Sequence, residues 1–213
     1  WACWKTYVGR PETDQVRNNA MTVLANGLYE ADQHEDALSV REVHLATLRR
    51  RGLSGDIILM AQGNLANTYL ALGRSEEALH LRREVYSERL KLNGEEHRRT
   101  LIAAANYSSS LIGLERFEEA RSLLRRTISV ARRVLGKHDD LPLIMRNNYA
   151  EALYKDDDAT LDDLRESVTT FEEIGRTARR VLGGAHPTTT GIEDELRNAR
   201  VTLRARETPS ETS

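Results

Sequence analysis

The sequence has little of the chemistry that stabilises small secreted domains. It contains one cysteine, Cys3, four prolines and 5% aromatic residues among 213 positions. A single cysteine excludes an internal disulfide framework. Scarce proline and glycine beside abundant Ala, Leu, Glu and Arg is typical of helices, and few aromatics leave the core to aliphatic side chains. The composition therefore predicts an all-α protein.

Charge and hydropathy narrow the classes of function. The chain has 31 basic and 33 acidic residues, a formal net charge of −2. It lacks the basic excess with which nucleic-acid-binding proteins neutralise phosphates. No apolar run approaches the ~18 residues of a membrane span. We expect no nucleic-acid partner, no membrane insertion and a cytoplasmic location. Because the first residue is Trp1, we also expect a part of a larger polypeptide or complex.

Internal repetition is the strongest signal in the chain. An Asn followed by Leu-Ala, Tyr-Ser or Tyr-Ala recurs at 42-residue intervals, at Asn64, Asn106 and Asn148. Glu-Glu-Ala recurs with the same interval at residues 76–78 and 118–120. Glycines at the joints keep this period: Gly52, Gly94 and Gly136. Three kinds of marker with one period indicate a repeat protein.

Each repeat is predicted to hold two helices. In the second repeat, Leu65, Ala66, Tyr69 and Leu72 fall at helical spacing and form one apolar stripe. Ser-Glu-Glu at residues 75–77 is an N-terminal signal for a second helix, since a capping hydroxyl is followed by carboxylates in the first turn. The second helix is expected to end near the Asn-Gly pair at residues 93–94.

These repeats resemble the tetratricopeptide family. The first-helix Leu65, Ala66 and Tyr69, followed by Gly73 and Ala78, match the packing positions of that pattern. The 42-residue unit is similar to the longer repeat of kinesin light chains, whose joints read Leu-Gly-x-x-His-Pro-x-Thr. The joint at 182–189 reads Leu-Gly-Gly-Ala-His-Pro-Thr-Thr. The resemblance covers about residues 12–187 and implies helical hairpins stacked into a solenoid.

Two features depart from that pattern. Asp139 stands at a joint where His is expected, and the fourth repeat carries about five extra residues, including an acidic run at residues 156–158. The run does not match a calcium-binding EF-hand loop, which needs Gly at its sixth and Glu at its twelfth position. We expect the extra residues to form a longer turn, with Asp158 or Thr160 capping the next helix.

Periodicity and resemblance together predict a single right-handed α-solenoid over residues 1–206. A partial repeat at residues 1–9 comes first, and a cap helix at residues 188–206 ends the array, because it has one apolar face and a polar remainder. Residues 207–213 are expected to be a disordered tail. The four repeats are placed at residues 12–52, 56–94, 97–136 and 140–183.

No residue pattern indicates catalysis or a cofactor. His97 and His186 occupy equivalent joints two repeats apart, on the order of 20 Å, which is too far for a shared metal ion. His186 precedes Pro187, which favours a turn or capping role. No nucleophile elbow, phosphate loop or dinucleotide fingerprint is present. We therefore expect a protein that is not an enzyme, with no catalytic residue, no metal site and no cofactor.

A second stripe on the first helices indicates a binding surface. First helices line the concave groove of tetratricopeptide arrays, so the resemblance implies that this stripe faces a channel. Asparagine donates and accepts hydrogen bonds at once, which suits the backbone of an extended peptide. The alternative is that the recurring asparagines only fix helix packing. The candidate groove residues are Asn26, Met60, Asn64, Asn67, Ile102, Asn106, Ser109, Ile144, Asn148 and Glu151.

The predicted function is a non-catalytic module that binds a peptide or protein segment in the concave groove. The alternative is a structural or scaffold subunit that contacts its neighbours through the convex face and the ends. Arginine pairs on the second helices, such as those at 82–83 and 132–133, motivate that alternative. A third possibility is that the array regulates an enzymatic or nucleotide-binding domain elsewhere in a longer chain.

Overall fold

The computed structural model describes Lys5, residues 8–136 and residues 139–208. These residues form helices and turns and contain no strand, so the predicted all-α class is confirmed. Most of the predicted partial repeat at 1–9, most of the predicted tail at 207–213, and His138 lie outside the described residues. The helices are α1 (Gln15–Glu30), α2 (His34–Arg50), α3 (Asp56–Ala71), α4 (Ser75–Asn93), α5 (Arg98–Gly113), α6 (Phe117–Leu135), α7 (Asp140–Tyr154), α8 (Leu161–Leu182) and α9 (Pro187–Glu207).

The chain divides into two compact units. The first, residues 1–92, holds α1 to α3 and nearly all of α4, and the second, residues 93–213, holds α5 to α9. In the first unit α1 packs on α2 and α2 on α3, and in the second unit each of α5 to α8 packs on the helix that follows it, which makes helical hairpins. In the second unit the first helices α5, α7 and α9 are also neighbours. The arrangement of all repeats as one array stays a prediction.

At three of the joints a side chain caps the helix that follows it, whereas α3 begins after Gly55, which has no side chain. His97 Nδ1 accepts a hydrogen bond from the Arg99 backbone N–H at 3.1 Å, and His186 Nδ1 accepts one from Thr188 N–H at 3.2 Å. Asp139 Oδ1 does the same for Leu141 N–H at 3.0 Å. An N-cap needs a side-chain acceptor of short reach, which Asp supplies as well as His. The Asp139 departure therefore preserves the cap, and the capping role predicted for His186 is confirmed.

One part of the core of the first unit lies between α2 and α3. Leu38 and Leu45 of α2 and Leu65 of α3 are buried together, with Tyr69 and Leu81 packed against them. Leu65 and Tyr69 belong to the apolar stripe predicted from the sequence. Burying such aliphatic side chains stabilises the fold by roughly 1.5–3 kcal/mol each. The stripe thus holds one hairpin against the next.

The core of the second unit is continuous from α7 to α9. Phe171 of α8 is fully buried and packs edge-on against Tyr154 of α7, with 6.0 Å between ring centroids. Ile192 and Ala199 of α9 belong to the same cluster. The final helix therefore buries one face, as expected for its apolar stripe.

The extra residues of the fourth repeat divide between a turn and a helix. The connection between α7 and α8 spans residues 155–160, whereas the corresponding connection in the third repeat is residues 114–116. Helix α8 has 22 residues against 19 in α6. Thr160 caps α8 in a reciprocal pair with Asp163, so one of the two predicted caps is confirmed. The expectation of a longer turn is correct for only part of the insertion.

Candidate functional site

A groove lies between the first helices α1 and α3 of the first unit. It encloses about 400 Å³, with α2 as its floor. Amide side chains dominate the polar part of its wall, and Val23, Ile57 and Met60 supply apolar side chains that are 62%, 47% and 56% exposed. The amides that line the groove are Gln15, Asn18, Asn19, Asn26 and Asn64.

Arg41 of α2 forms the base of this groove. Its side chain is buried, with 7% of the residue exposed. Nη1 donates to the backbone carbonyl of Asn64 at 2.5 Å and to the hydroxyl of Thr68, and Nη2 donates to Asn26 Oδ1 at 3.1 Å. The guanidinium carbon lies 4.9 Å from the centroid of the Tyr29 ring. Arg41 therefore ties α1, α2 and α3 together beneath the groove.

Arg41 is a buried cation without an ion-pair partner among the described residues. Its Nε is buried without a hydrogen-bond acceptor among the same residues. Burial lowers the pKa of Arg41, while Tyr29 and Glu30 act in the opposite direction. Guanidinium groups nevertheless remain charged in proteins. A buried cation without a counter-ion is costly, so the base of the groove favours a negative group.

His44 lies one turn along α2 from Arg41 and lines the same groove. Burial lowers its pKa below the usual value of 6.5, so the imidazole is neutral at pH 7. A neutral imidazole can donate one hydrogen bond and accept another. His44 therefore adds a polar group to the groove floor without adding a second positive charge.

The structure brings three of the predicted site residues together in the first unit. Asn26, Met60 and Asn64 all line the groove. Asn67 is exposed on α3 and is not among the lining residues; its Oδ1 accepts from Arg82 of α4 at 3.0 Å. Only part of the stripe predicted on the first helices, Asn26, Met60 and Asn64, therefore lines the groove of the first unit.

In the second unit the predicted residues differ in burial. On α5, Ile102, Asn106 and Ser109 are exposed, and on α7 Ile144 is exposed as well. Ile144 borders a notch of about 250 Å³ against α9. The remaining two residues of the predicted set lie further along α7 and are less exposed: Asn148 and Glu151.

Asn148 is buried and uses its amide for packing. Its Nδ2 donates to the Ala105 carbonyl at 3.3 Å and to Ser108 Oγ at 3.2 Å. Glu151 is paired with Lys155 at 2.5 Å. The three recurring asparagines therefore lie in different environments, because Asn64 is half-buried and Asn106 is exposed.

Arg41 and His44 lie on a second helix, α2, whereas every site residue predicted from the sequence lies on a first helix. A signal was present. The inner face of α2 reads Ala37, Leu38, Leu45 and Leu48, all buried, and Arg41 falls on that face at helical spacing. A charged residue inside an apolar stripe is a reason to look for a buried polar contact or a ligand.

The described residues also bear on metal binding and on membrane insertion. No group of three or more His, Cys, Asp or Glu side chains is placed to hold a metal ion there. Within the same residues, no helix has the length and apolar character needed to cross a membrane.

Comparison with known proteins connects this geometry to a family. The model of the tetratricopeptide repeat matches residues 58–99 and 100–140. Residues 58–140 are thus two tetratricopeptide repeats. Repeats of this family are generally non-catalytic modules for protein–protein interaction, and the two matched segments have the length of the repeat recognised in the sequence. No curated protein matches the sequence.

Solved structures share the tetratricopeptide fold at low sequence identity. A structure from Podosopora anserina, named for a kinesin light chain with nearly identical TPR-like repeats, has a TM-score of 0.68 and 20% identity, covering 96% of this chain and all of that one. A single-substitution variant of that protein has a TM-score of 0.74 and 21% identity, covering 90% of this chain and 88% of that one. BtubC (BKLC) from P. vanneervenii has a TM-score of 0.60 and 16% identity, covering 94% of this chain and 87% of that one. These likenesses show the fold alone, an all-α solenoid of helical repeats.

Proposed function

We propose that the groove between α1 and α3 binds an extended peptide segment of a partner protein, with an acidic side chain of the peptide directed at Arg41. The observation that carries this proposal is the buried Arg41 guanidinium, which lines the groove and has no carboxylate partner among the described residues. A carboxylate bound there would neutralise the cation where water screens it least.

The amides of the groove wall support an extended ligand. A peptide without regular structure brings unpaired backbone N–H and C=O groups, and each must find a partner when water is removed. Asparagine and glutamine side chains offer both donors and acceptors. The exposed amides of the wall, Gln15, Asn19 and Asn26, can therefore hold a peptide backbone without selecting its side chains. Asn18 is buried and donates to the carbonyls of Glu12 and Asp14.

Apolar side chains on the rim of the α1–α3 groove add hydrophobic surface that a bound peptide would bury. Val23, Ile57 and Met60 project from both walls and are roughly half exposed. Methionine adapts its shape to different ligands because its side chain is unbranched and polarisable. Burial of these side chains by a ligand would contribute ~25 cal/mol per Å². Affinity would thus come from the rim and selectivity for acidic peptides from Arg41.

A peptide-display experiment tests the proposal. A library of random peptides of about 12 residues is selected on the full chain, and enriched peptides are synthesised with each acidic residue also changed to its amide. We expect enrichment of Asp and Glu, and about tenfold weaker binding of the amide peptides by fluorescence anisotropy. Enrichment without acidic residues, or equal affinity of both peptides, would contradict the role of Arg41.

A counter-ion variant localises the binding. Asn26→Asp places a carboxylate beside Arg41 Nη2, since Asn26 Oδ1 already lies 3.1 Å from it. We expect this variant to bind the acidic peptides about tenfold more weakly. Ser87→Asp adds the same charge to an exposed position on α4 and should change affinity less than about twofold. Equal losses in the two variants would show a general charge effect and not a site at Arg41.

The scaffold alternative is supported less well by the second-helix arginines. Arg82 donates to Asn67 Oδ1 at 3.0 Å and Arg133 pairs with Glu96 at 2.7 Å, so two of these charges already have partners within the chain. If no peptide is enriched by the wild-type chain, the groove proposal fails and a role through other faces becomes the better explanation.

A further inference from the structure

A second groove lies in the other unit, along the outside of the α8–α9 hairpin. It encloses about 600 Å³. Its floor is apolar and consists of Phe171, Ile192 and Leu196, of which the first two are buried. At Gly175 the two helices approach closely, since an added Cβ would lie 3.6 Å from Ile192 Cγ2. The groove is thus a shallow channel between two packed helices.

The rim of this groove is positively charged. Four arginines and two glutamates line it, a net excess of two positive charges in a chain whose net charge is −2. Glu193 pairs with Arg179 at 2.5 Å and Glu172 with Arg200 at 2.6 Å. Arg176 and Arg180 are exposed and form no ion pair within the part of the chain that the structure describes. The excess charge is therefore carried by these two side chains.

We propose that the α8–α9 groove docks an acidic amphipathic helix of a partner protein. Arg176 and Arg180 are four residues apart on α8, one turn or ~6 Å along the axis. Two carboxylates at positions i and i+4 of a partner helix have the same spacing. The apolar face of that helix would pack on the partly exposed Leu196, above the buried Phe171 and Ile192, with its acidic flank against the two arginines.

The composition of the groove favours a helix over an extended peptide. None of its lining residues is an asparagine or glutamine, unlike the wall of the α1–α3 groove. An extended peptide would leave its backbone groups with few partners there, whereas a helix satisfies its own. A third helix also fits the channel between two others by ridges-into-grooves packing at about 8–10 Å. This surface is independent of the peptide groove in the first unit.

The probe is a library of acidic and neutral sequences displayed on one face of a single helix of about 18 residues. It is selected on the full chain and counter-selected on the double variant Arg176→Gln/Arg180→Gln. We expect enriched helices with Asp or Glu at i and i+4 beside an apolar face. In anisotropy titrations they should bind the double variant about tenfold more weakly.

A matched variant controls for overall charge. Arg197→Gln/Arg204→Gln removes two exposed arginines from α9 outside the groove and should leave affinity within about twofold, with unchanged circular dichroism in both variants. No enrichment, enrichment without acidic pairs, or equal loss in both double variants would overturn the proposal. Self-association of the wild-type chain that is lost only in Arg176→Gln/Arg180→Gln would identify a second copy as the occupant and would also overturn it.

Discussion

The side-chain amide of Asn148 donates a hydrogen bond to the hydroxyl of Ser108 across the neighbouring helices α7 and α5, over 3.2 Å. The same Nδ2 reaches the Ala105 carbonyl at 3.3 Å, and Ser108 Oγ donates to that carbonyl at 2.8 Å. Both side chains are buried. The contact therefore closes a small polar network between two first helices.

Loss of that network should destabilise the second unit. We expect Asn148→Ala to lower the free energy of unfolding by about 1–3 kcal/mol, because buried groups lose a partner and a small cavity remains. Ser109→Ala, at an exposed position of α5, should change it by less than about 0.5 kcal/mol. Urea denaturation followed by circular dichroism measures both, and equal stability of the two variants would refute the structural importance of the contact.

The start of α8 depends on a reciprocal cap. Asp163 N–H donates to Thr160 Oγ1 at 3.1 Å, and Thr160 N–H donates to Asp163 Oδ2 at 2.9 Å. Thr160→Ala removes the side-chain acceptor, and we expect a loss of about 1 kcal/mol in the free energy of unfolding. Thr169→Ala, in the exposed middle of the same helix, is the control and should be neutral. Comparable losses at both positions would contradict the cap, because Thr169→Ala does not lower helix propensity.

The pH dependence of stability should report the burial of His44. Its pKa is lowered by burial in the folded state, so the unfolded chain binds this proton more tightly. The free energy of unfolding should then fall as the pH drops below about 6.5, and be unaffected by His44 above it. His44→Gln removes the titration, and its unfolding free energy should fall less between about pH 7 and pH 5.5. A steeper fall in the variant than in the wild type would contradict this assignment.

Alanine substitution at two glycines should change the stability of the protein in opposite directions. Gly175 lies inside α8, and an added Cβ would make ordinary contact with Ile192. We expect Gly175→Ala to stabilise the protein by about 0.5–1 kcal/mol, because glycine is unfavourable in helices. Gly183 ends α8 at φ 93°, where alanine is strained, so Gly183→Ala should be destabilising. Thermal unfolding of the two variants measures the difference, and a shift in the same direction would refute the argument.

The repeat architecture could be predicted because each repeat shows the same local sequence pattern. The stripe that includes Leu65 and Tyr69 follows the helical period, and a glycine such as Gly136 comes directly after a second helix, with φ 80°. These are properties of adjacent residues, so they are visible without the tertiary structure. The cap at Asp139 is also local. Asp139 replaces the His found at two other joints but still supplies a side-chain hydrogen-bond acceptor, which the residue type alone could have indicated.

The binding site was predicted less completely. Asn64, Asn106 and Asn148 are equivalent in the sequence period, yet Asn148 is buried against Ala105 and Ser108 while Asn106 is exposed. The environment of each asparagine depends on how closely its helix packs on the next one. Periodicity assigns a residue to a face of its own helix and carries no information about the distance to its neighbour.

The sequence by itself therefore determined the class of fold, the hairpin within each repeat and the residues that begin and end the helices, because these follow from local spacing and capping. The tertiary structure decided which side chains meet. Arg41 lies beneath the α1–α3 groove, and Arg176 and Arg180 border the α8–α9 groove. Burial and pairing of a charge depend on contacts between helices, and residues such as Arg41 and Asn64, distant in the chain, become neighbours only when those helices pack.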